Sequence, residues 1–293
     1  MTIFNLGSIN VDLVYRVPHL PRPGETLAAH GLTRGLGGKG ANMSVAAARA
    51  AAHVVHIGAV GADGLWARDR LMEYGVDHRH ISTSDHPTGH AVIAVDDDGE
   101  NAILLFPGAN VSLTAEQVSN ALTSAETGDT LIFQNETNAQ AEAARLASAR
   151  GMRVVYAAAP FDANAVTKVM PFLDLLVLNE LEATQLEAAT GQAIQSLPVA
   201  DIVITLGAQG CRWINTNSGT TRSFPAVKVT AIDTTGAGDT FTGYLVASLD
   251  RGMGHEQAIL QATRAAALMV TRPGTADVIP DLKDLEDFVT GAS

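Results

Sequence analysis

A single cysteine, Cys211, in a chain of 293 residues excludes an internal disulfide and a cysteine-built zinc site. Basic residues are also scarce: 19 Lys and Arg stand against 31 Asp and Glu, a formal charge of −12. That balance argues against nucleic acid or an anionic membrane as the main partner. It leaves room for an anionic nucleotide held by local dipoles and a metal ion. No window approaches the apolar length of a membrane span. The start, Met1-Thr2-Ile3-Phe4-Asn5-Leu6-Gly7, has no basic region leading into a long apolar one, so the expectation is a soluble cytoplasmic protein. Internal repeats, low-complexity tracts and long linkers are missing too. The nine histidines form no H-E-x-x-H or comparable metal spacing, and His78 and His80 read as surface residues. Asp96-Asp97-Asp98 lacks the remaining positions of a calcium loop and reads as a solvated hairpin tip.

What is present suits a large buried core, with 46% hydrophobic and 17% charged residues. Short apolar runs at residues 3–9, 54–60, 130–134, 153–157, 174–178 and 201–206 predict strands. Being apolar throughout rather than alternating, they suit a parallel sheet covered on both faces. Alanine-rich helical stretches at 41–52, 139–150 and 180–190 lie between them, with Gly151 and Gly191 placed to end the latter two. The alternation predicts a layered α/β domain. Residues 11–34 and 89–106 break the rhythm. The second reads as a hairpin, 90–95 and 101–106 around Asp96-Asp97-Asp98-Gly99-Glu100. Both segments are too short for a core of their own, and they are expected to pair as a small sheet projecting from the main domain.

Asp233-Thr234-Thr235-Gly236-Ala237-Gly238-Asp239 turns into a helical run over 240–249. Backbone N–H groups converge on an anion at such a junction. Asp239 stands in the first helical turn, beside the anion it would repel. A carboxylate there makes sense as the acceptor of a proton from a hydroxyl attacking a phosphoryl group, or simply as an acid favoured by the helix macrodipole. Gly35-Leu36-Gly37-Gly38-Lys39-Gly40 satisfies G-x-G-x-x-G, but no buried strand precedes it. The phosphate-loop pattern fails at Thr33 and Gly40. Followed by Ala41-Asn42, this cluster is either a packing turn or a nest for a polyhydroxylated ligand, with Lys39 and Asn42 as its hydrogen-bonding groups.

Gly7-Ser8-Ile9-Asn10-Val11-Asp12 follows the first strand, and Asn10 and Asp12 offer donors and acceptors matched to a vicinal diol. Asn179-Glu180-Leu181-Glu182 lies where a strand becomes a helix. Its acids are hard oxygen donors for Mg²⁺, or good helix-start chemistry. Thr205-Leu206-Gly207-Ala208-Gln209-Gly210 ends a strand with a hydroxyl and glycines able to approach a nucleotide, and Glu136 adds a polar group at another strand end. Apart from the Gly35 cluster, these motifs share strand ends or helix starts, where open α/β sheets bind ligands.

In this combination and order the residues resemble the ribokinase family of sugar kinases, or PfkB-type carbohydrate kinases. The motifs are Gly7-Ser8-Ile9-Asn10-x-Asp12, Pro23-Gly24-Glu25-Thr26, Gly37-Gly38-Lys39-Gly40-Ala41-Asn42, Gly108-Ala109-Asn110, Asn179-Glu180-x-Glu182, Thr205-Leu206-Gly207, Asp233-Thr234-x-Gly236-Ala237-Gly238-Asp239 and Val270-Thr271-Arg272. The resemblance implies a three-layer α/β fold with a mostly parallel central sheet, one kinase domain over residues 1–293. The segments 11–34 and 89–106 would form a β-lid that closes over the sugar and mediates a homodimer. It implies ATP and Mg²⁺ as cofactors and transfer of the γ-phosphoryl group to the primary hydroxyl of a pentose, ribose first. Another sugar or a nucleoside as acceptor stays open, as does a non-catalytic sugar-binding protein; a nicotinamide-dependent dehydrogenase is disfavoured by the failed glycine context.

Carried onto this sequence, the family's pattern assigns Asn10, Asp12, Gly38, Lys39, Asn42 and Glu136 to the sugar. Asp239 becomes the general base, and Gly236, Ala237 and Gly238 give N–H groups to the transferring phosphoryl. Asn179 and Glu182 organise Mg²⁺, the glutamate through water, and the phosphates. Thr205, Gly207, Gly210, Gly238 and Arg264 border the nucleotide, Arg264 standing where a histidine is common near the adenine. A monovalent-cation site, K⁺ in the family, would use Asp233, the Thr235 carbonyl and carbonyls near Met269, Arg272 and Gly274. Val278 stands where the family commonly offers a serine hydroxyl. His90 on the lid replaces a small or apolar residue close to the expected sugar pocket.

Overall fold

The computed structural model describes residues 1–291. The chain opens with β1 (Thr2–Leu6), β2 (Asn10–Arg16) and β3 (Gly31–Gly37), then α1 (Lys39–Arg49), β4 (His53–Gly61), α2 (Leu65–Glu73), β5 (Asp77–Ser84), β6 (Gly89–Val95) and β7 (Asn101–Phe106). It continues through α3 (Ala115–Ala121), β8 (Thr130–Gln134), α4 (Gln140–Ala149), β9 (Arg153–Ala157), α5 (Ala163–Val169), β10 (Leu175–Asn179), α6 (Glu180–Thr190) and β11 (Asp201–Thr205). It ends with β12 (Cys211–Asn215), β13 (Thr220–Phe224), α7 (Ala237–Asp250), α8 (His255–Met269) and α9 (Leu282–Thr290).

The expected α/β architecture is borne out. A nine-stranded sheet runs β13-β12-β11-β10-β9-β8-β1-β4-β5, parallel from β11 to β5. Alternate side chains of each buried strand enter two cores. Ile3, Val54, Ile132 and Val203 pack with Met43 and Val45 of α1, Phe241 and Tyr244 of α7 and Ile259 of α8. Phe4, Val55, Leu131 and Ile202 pack with Val118 of α3, Ala144 of α4, Val166 of α5 and Leu186 of α6 on the other face. That two-sided covering is why the strands read as uninterrupted apolar runs.

The two irregular segments do form a separate sheet, ordered β3-β2-β6-β7. Its hairpin, β6 to β7, has the expected ends. The first strand stops at Leu6 rather than residue 9, because Gly7 turns the chain out of the large sheet toward β2. The antiparallel pair β12–β13 at the sheet edge was not anticipated. Both strands are short: β12 gives the cores only Cys211 and Ile214 and β13 only Phe224, too few buried positions to read as an apolar run.

The topology fixes where a ligand goes. β1 lies between β4 and β8, so the chain leaves β1 in one direction and returns on its other side. A crevice opens outside the carboxyl ends of strands at such a switch point. Gly7 to Asp12 follows β1 there, and Glu136 follows β8.

Candidate active site

Two glycine-rich helix starts meet at this crevice, and they differ in what their N–H groups do. The first four N–H groups of a helix have no partner inside it. At α1 the three after the cap, Lys39 to Ala41, are occupied by the protein, and the Asn42 N–H makes the first bond of the helix itself. Lys39 N–H donates to the Glu136 carboxylate at 3.1 Å, Gly40 to Ser8 Oγ at 3.2 Å, Ala41 to the Ser8 carbonyl at 2.8 Å and Asn42 to the Gly38 carbonyl at 2.9 Å. The backbone donors at the start of α1 are therefore filled by Ser8 and Glu136. The contribution of that start lies in side chains, with Lys39 and Asn42 held on a fixed first turn.

At α7 the opposite holds. Gly236 caps the helix in the left-handed region, φ 75°, with no side-chain cap. The positive φ is what requires glycine; an added Cβ would meet only the movable end of Met269, its Cε 2.9 Å away. Ala237 N–H donates to the Thr234 carbonyl at 3.3 Å and Thr240 N–H to Gly236. The N–H groups of Gly236, Gly238 and Asp239 have no acceptor among the described residues. These point dipoles at an open helix N-terminus suit an anion.

Asp239 is buried in that first turn, 7% exposed. Its Oδ2 accepts from Asn42 Nδ2 at 2.9 Å, a bond spanning 197 residues of sequence. Helix approach makes it possible. Gly243 of α7 faces α1 so closely that a Cβ would lie 2.6 Å from the Met43 carbonyl. Asn42 Oδ1 is buried with no hydrogen-bond partner. A buried unpaired acceptor costs free energy of about 1–3 kcal/mol, and a ligand hydroxyl donated to it removes that cost.

Around this pair the acids crowd. Asp12 is buried, and burial together with Glu136 and Asp239 pushes its carboxyl up to about 7. The Lys39 ammonium is held charged above its ordinary value by Asp239 first, then Glu136 and Glu182. Glu182 is raised by burial and by Asp239, against the Asn179 N–H and Lys39. Asn10 Oδ1 accepts from Asn110 Nδ2 at 2.7 Å, and Asn110 Oδ1 takes the Ile9 N–H at 2.9 Å. Asn110 fixes the Asn10 amide and leaves its Nδ2 as a free donor. Asn110 was quoted in a motif without a role, and Ser8 likewise. Only their partners, about a hundred residues away, reveal what they do.

Asn179 and Glu182 bond reciprocally, Asn179 N–H to Glu182 Oε2 at 2.7 Å and Glu182 N–H to Asn179 Oδ1 at 2.8 Å. This is a capping box, so the helix-start reading of the motif holds, and Glu182 Oε1 is left over. Glu180 points elsewhere, into a cleft of about 600 Å³ between α6 and the β12–β13 edge. Thr205 and Gly207 sit at the end of β11. Gly210 closes that turn against β13, its backbone carbonyl accepting from Leu206 N–H at 2.7 Å.

Three expectations are placed differently. Arg264 is exposed and lines a cleft of about 660 Å³ with α9 residues such as Leu282 and Glu286, which none of the other expected nucleotide residues borders. The residue before it, Thr263, faces the sheet and touches the Cys211 thiol. A one-residue step on a helix turns the side chain by about 100°. His90 pairs with Val11 and Phe106, one place out of step with Asp12–Ala91. It therefore lies on the opposite face of the four-stranded sheet from Asp12. Finally, Asp233 spends both oxygens on backbone, Thr235 N–H at 2.9 Å and Gly274 N–H at 3.1 Å. The Met269 carbonyl accepts from Arg272 N–H at 2.9 Å, and Val278 offers no oxygen. Among the described residues no cluster of three His, Cys, Asp or Glu is placed to hold a metal.

The chain matches the pfkB family carbohydrate kinase pattern over residues 2–282. It is 36% identical over 306 aligned residues to a ribokinase of Haemophilus influenzae, covering 99% of each chain. The ribokinase structure from Thermotoga maritima superposes with a TM-score of 0.88 at 31% identity, covering 99% of both chains. An Arabidopsis thaliana ribokinase complexed with ribose and ATP gives 0.84 at 26% identity, over 98% of both. Joined to a helix-borne carboxylate at an open N-terminus and a polar groove at the switch point, these likenesses place the chain: it belongs to the pfkB family of carbohydrate kinases.

Proposed function

We propose that the chain is an ATP-dependent sugar kinase that phosphorylates the primary hydroxyl of a pentose, ribose first. The observation that carries the reading is the Asn42–Asp239 bond, because it joins the sugar-type residues of α1 to the anion-binding start of α7. Asn10, Asp12, Asn42 and the free Oε1 of Glu136 would hold the sugar hydroxyls, with Lys39 charged among them and the Gly38 N–H beside them. Asp239 takes the proton of the primary hydroxyl as its oxygen bonds to the γ-phosphorus. The bond from γ-phosphorus to the bridging oxygen breaks, and ADP leaves with that electron pair. Gly236 and Gly238 N–H groups face the charge that builds on the transferring group, a form of stabilisation worth several kcal/mol in such sites. Ala237 sets the turn between them. Asn179, Thr205, Gly207 and Gly210 would border the nucleotide.

The acids present fit Mg²⁺. Glu182 is destabilised as an anion by burial and by Asp239, a surplus of negative charge that a cation relieves. One carboxylate with waters and phosphates is the usual Mg²⁺ donor set. When bound, the ion would neutralise phosphate charge during transfer. The monovalent-cation set fits poorly, since Val278 has no hydroxyl and each Asp233 oxygen, holding one backbone N–H, keeps a single lone pair for a cation, so no step is derived through K⁺. We read the chain as one kinase unit in which the four-stranded sheet serves as lid, closing to exclude water. The apolar edge strand β7 supports pairing of two such lids in a homodimer. In favour of a soluble protein, no described helix is long and apolar enough to cross a membrane.

ADP release measured against ribose, deoxyribose, fructose and nucleosides, with and without K⁺, tests the reading. The expected result is the highest kcat/KM on ribose, dependence on Mg²⁺, and turnover without K⁺ within about threefold of that with it, the donor set being incomplete. Nucleoside turnover above ribose, or no turnover of any sugar, contradicts it.

A further inference from the structure

Behind the site, polar side chains stand where the sheet reads apolar. Asn5 of β1, His56 of β4, Gln134 of β8 and Ser44 of α1 are each at most 1% exposed, and none is a ligand-facing group in the reading above. They form one chain of hydrogen bonds. His56 Nε2 lies 3.0 Å from the Gly7 carbonyl, which can only accept, so Nε2 carries the ring proton. His56 Nδ1 then accepts from the Ser44 hydroxyl at 2.8 Å. Ser44 Oγ accepts from Asn5 Nδ2 at 2.8 Å, and the second proton of that amide goes to the Gly40 carbonyl at 2.8 Å. Asn5 Oδ1 accepts from Gln134 Nε2 at 2.8 Å. Every link has one direction, and the imidazole is neutral; burial pushes its pKa down to about 4.

The His56 end of this chain and a branch from Asn5 grip backbone at one seam. The Gly7 and Gly40 backbones are packed together, so a Cβ on either would strike the other's Cα. Gly7 leads into Ser8 and Asn10; Gly40 lies between Lys39 and Asn42. Four buried polar groups would be costly there unless paired; all their side-chain nitrogen and oxygen atoms except Gln134 Oε1 find a partner among the described residues, and the pairing converges on the two carbonyls that flank the sugar residues.

We propose that His56 is a positioning residue for sugar phosphorylation: through the Gly7 carbonyl, with Ser44 and Asn5 holding Gly40, it fixes the seam from which Asn10, Lys39 and Asn42 reach the sugar. The proposal rests on the kinase reading, since it needs those residues to bind the sugar.

A substitution series separates this from general stability. In His56→Gln the amide nitrogen reaches the Nε2 position; in His56→Asn it reaches only the Nδ1 position; His56→Phe has neither group. The sugar is whichever panel substrate the wild type turns over best. His56→Gln is expected to keep its KM within about twofold, whereas His56→Asn and His56→Phe raise it about tenfold, the scale of one buried hydrogen bond. The KM for ATP stays within about twofold in all three. Ser44→Ala, which leaves His56 Nδ1 and one Asn5 amide proton without a partner, raises the sugar KM about threefold. A glutamine variant as impaired as phenylalanine, or sugar and ATP constants rising together, overturns the proposal. Hydrogen exchange without ligand gives an activity-free readout. Amides of residues 8–10 and 39–42 exchange faster in the Asn and Phe variants and near the wild-type rate in the Gln variant. A wild type inactive on every sugar sinks the kinase reading and leaves this exchange test standing. Unchanged exchange in His56→Phe sinks the positioning role alone.

Discussion

Asp12 carries the most consequential charge state in the groove. Burial, Glu136 and Asp239 together bring its carboxyl to about 7, so near neutrality the empty site holds it part protonated. A carboxylate accepts from two neighbouring hydroxyls; its acid form loses one acceptor and presents a donor instead. Sugar capture is therefore lost as pH falls through about 7 and is fully present above it. The expected profile of kcat/KM for the sugar, which reports free-enzyme groups, falls about tenfold per pH unit on that acid side. Asp12→Asn is expected to weaken sugar binding and flatten this limb; an unchanged limb in the variant would reassign it to another group. Residues such as Asp12, Lys39 and Asn42 were legible in the sequence because their types suit a polyol. Their partners were not, since Asn110 and Ser8 act through bonds to residues about a hundred positions away. His56 left a faint mark, a polar residue inside the apolar run Val54-Val55-His56-Ile57.

Among the elements, the lid sheet is the least self-sufficient. Its edge strand β7 is exposed along its whole length, with Ile103, Leu104, Leu105 and Phe106 between 44% and 71% exposed. An apolar, unpaired edge of this kind invites a second strand or sheet, which the proposed homodimer would supply from a second copy. Leu104→Lys is expected to shift the protein from dimer to monomer in sedimentation velocity while leaving the large sheet folded. A wild-type monomer at micromolar concentration contradicts the dimer. The hairpin was readable from its turn residues, and the parallel strands from their apolar runs. The pair β12–β13 was not, because the edge strand β13 buries only Phe224 and its neighbour β12 only Cys211 and Ile214, so neither needs such a run. The orientation of Arg264 was also beyond a linear reading, since helix phase depends on which face packs against the sheet.

At the scale of the molecule, the site exists only because distant pieces converge. β1 and β8 are neighbours at the switch point, which brings Asn10 and Asp12 beside Glu136. Close packing of α7 on α1 brings Asp239 to Asn42. The sequence order hides both joints, although each partner was visible alone, and the likeness to ribokinase structures spans the same whole-chain arrangement. The central claim is that Asp239 takes the proton at this joint. Asp239→Asn keeps the size of the side chain and a hydrogen-bonding partner for Asn42 but removes the base. With sugar binding verified by calorimetry, its kcat is expected to fall by about 10²–10⁴-fold, the usual contribution of a positioned base. A kcat within a few-fold of wild type, with the sugar bound normally, would contradict the account.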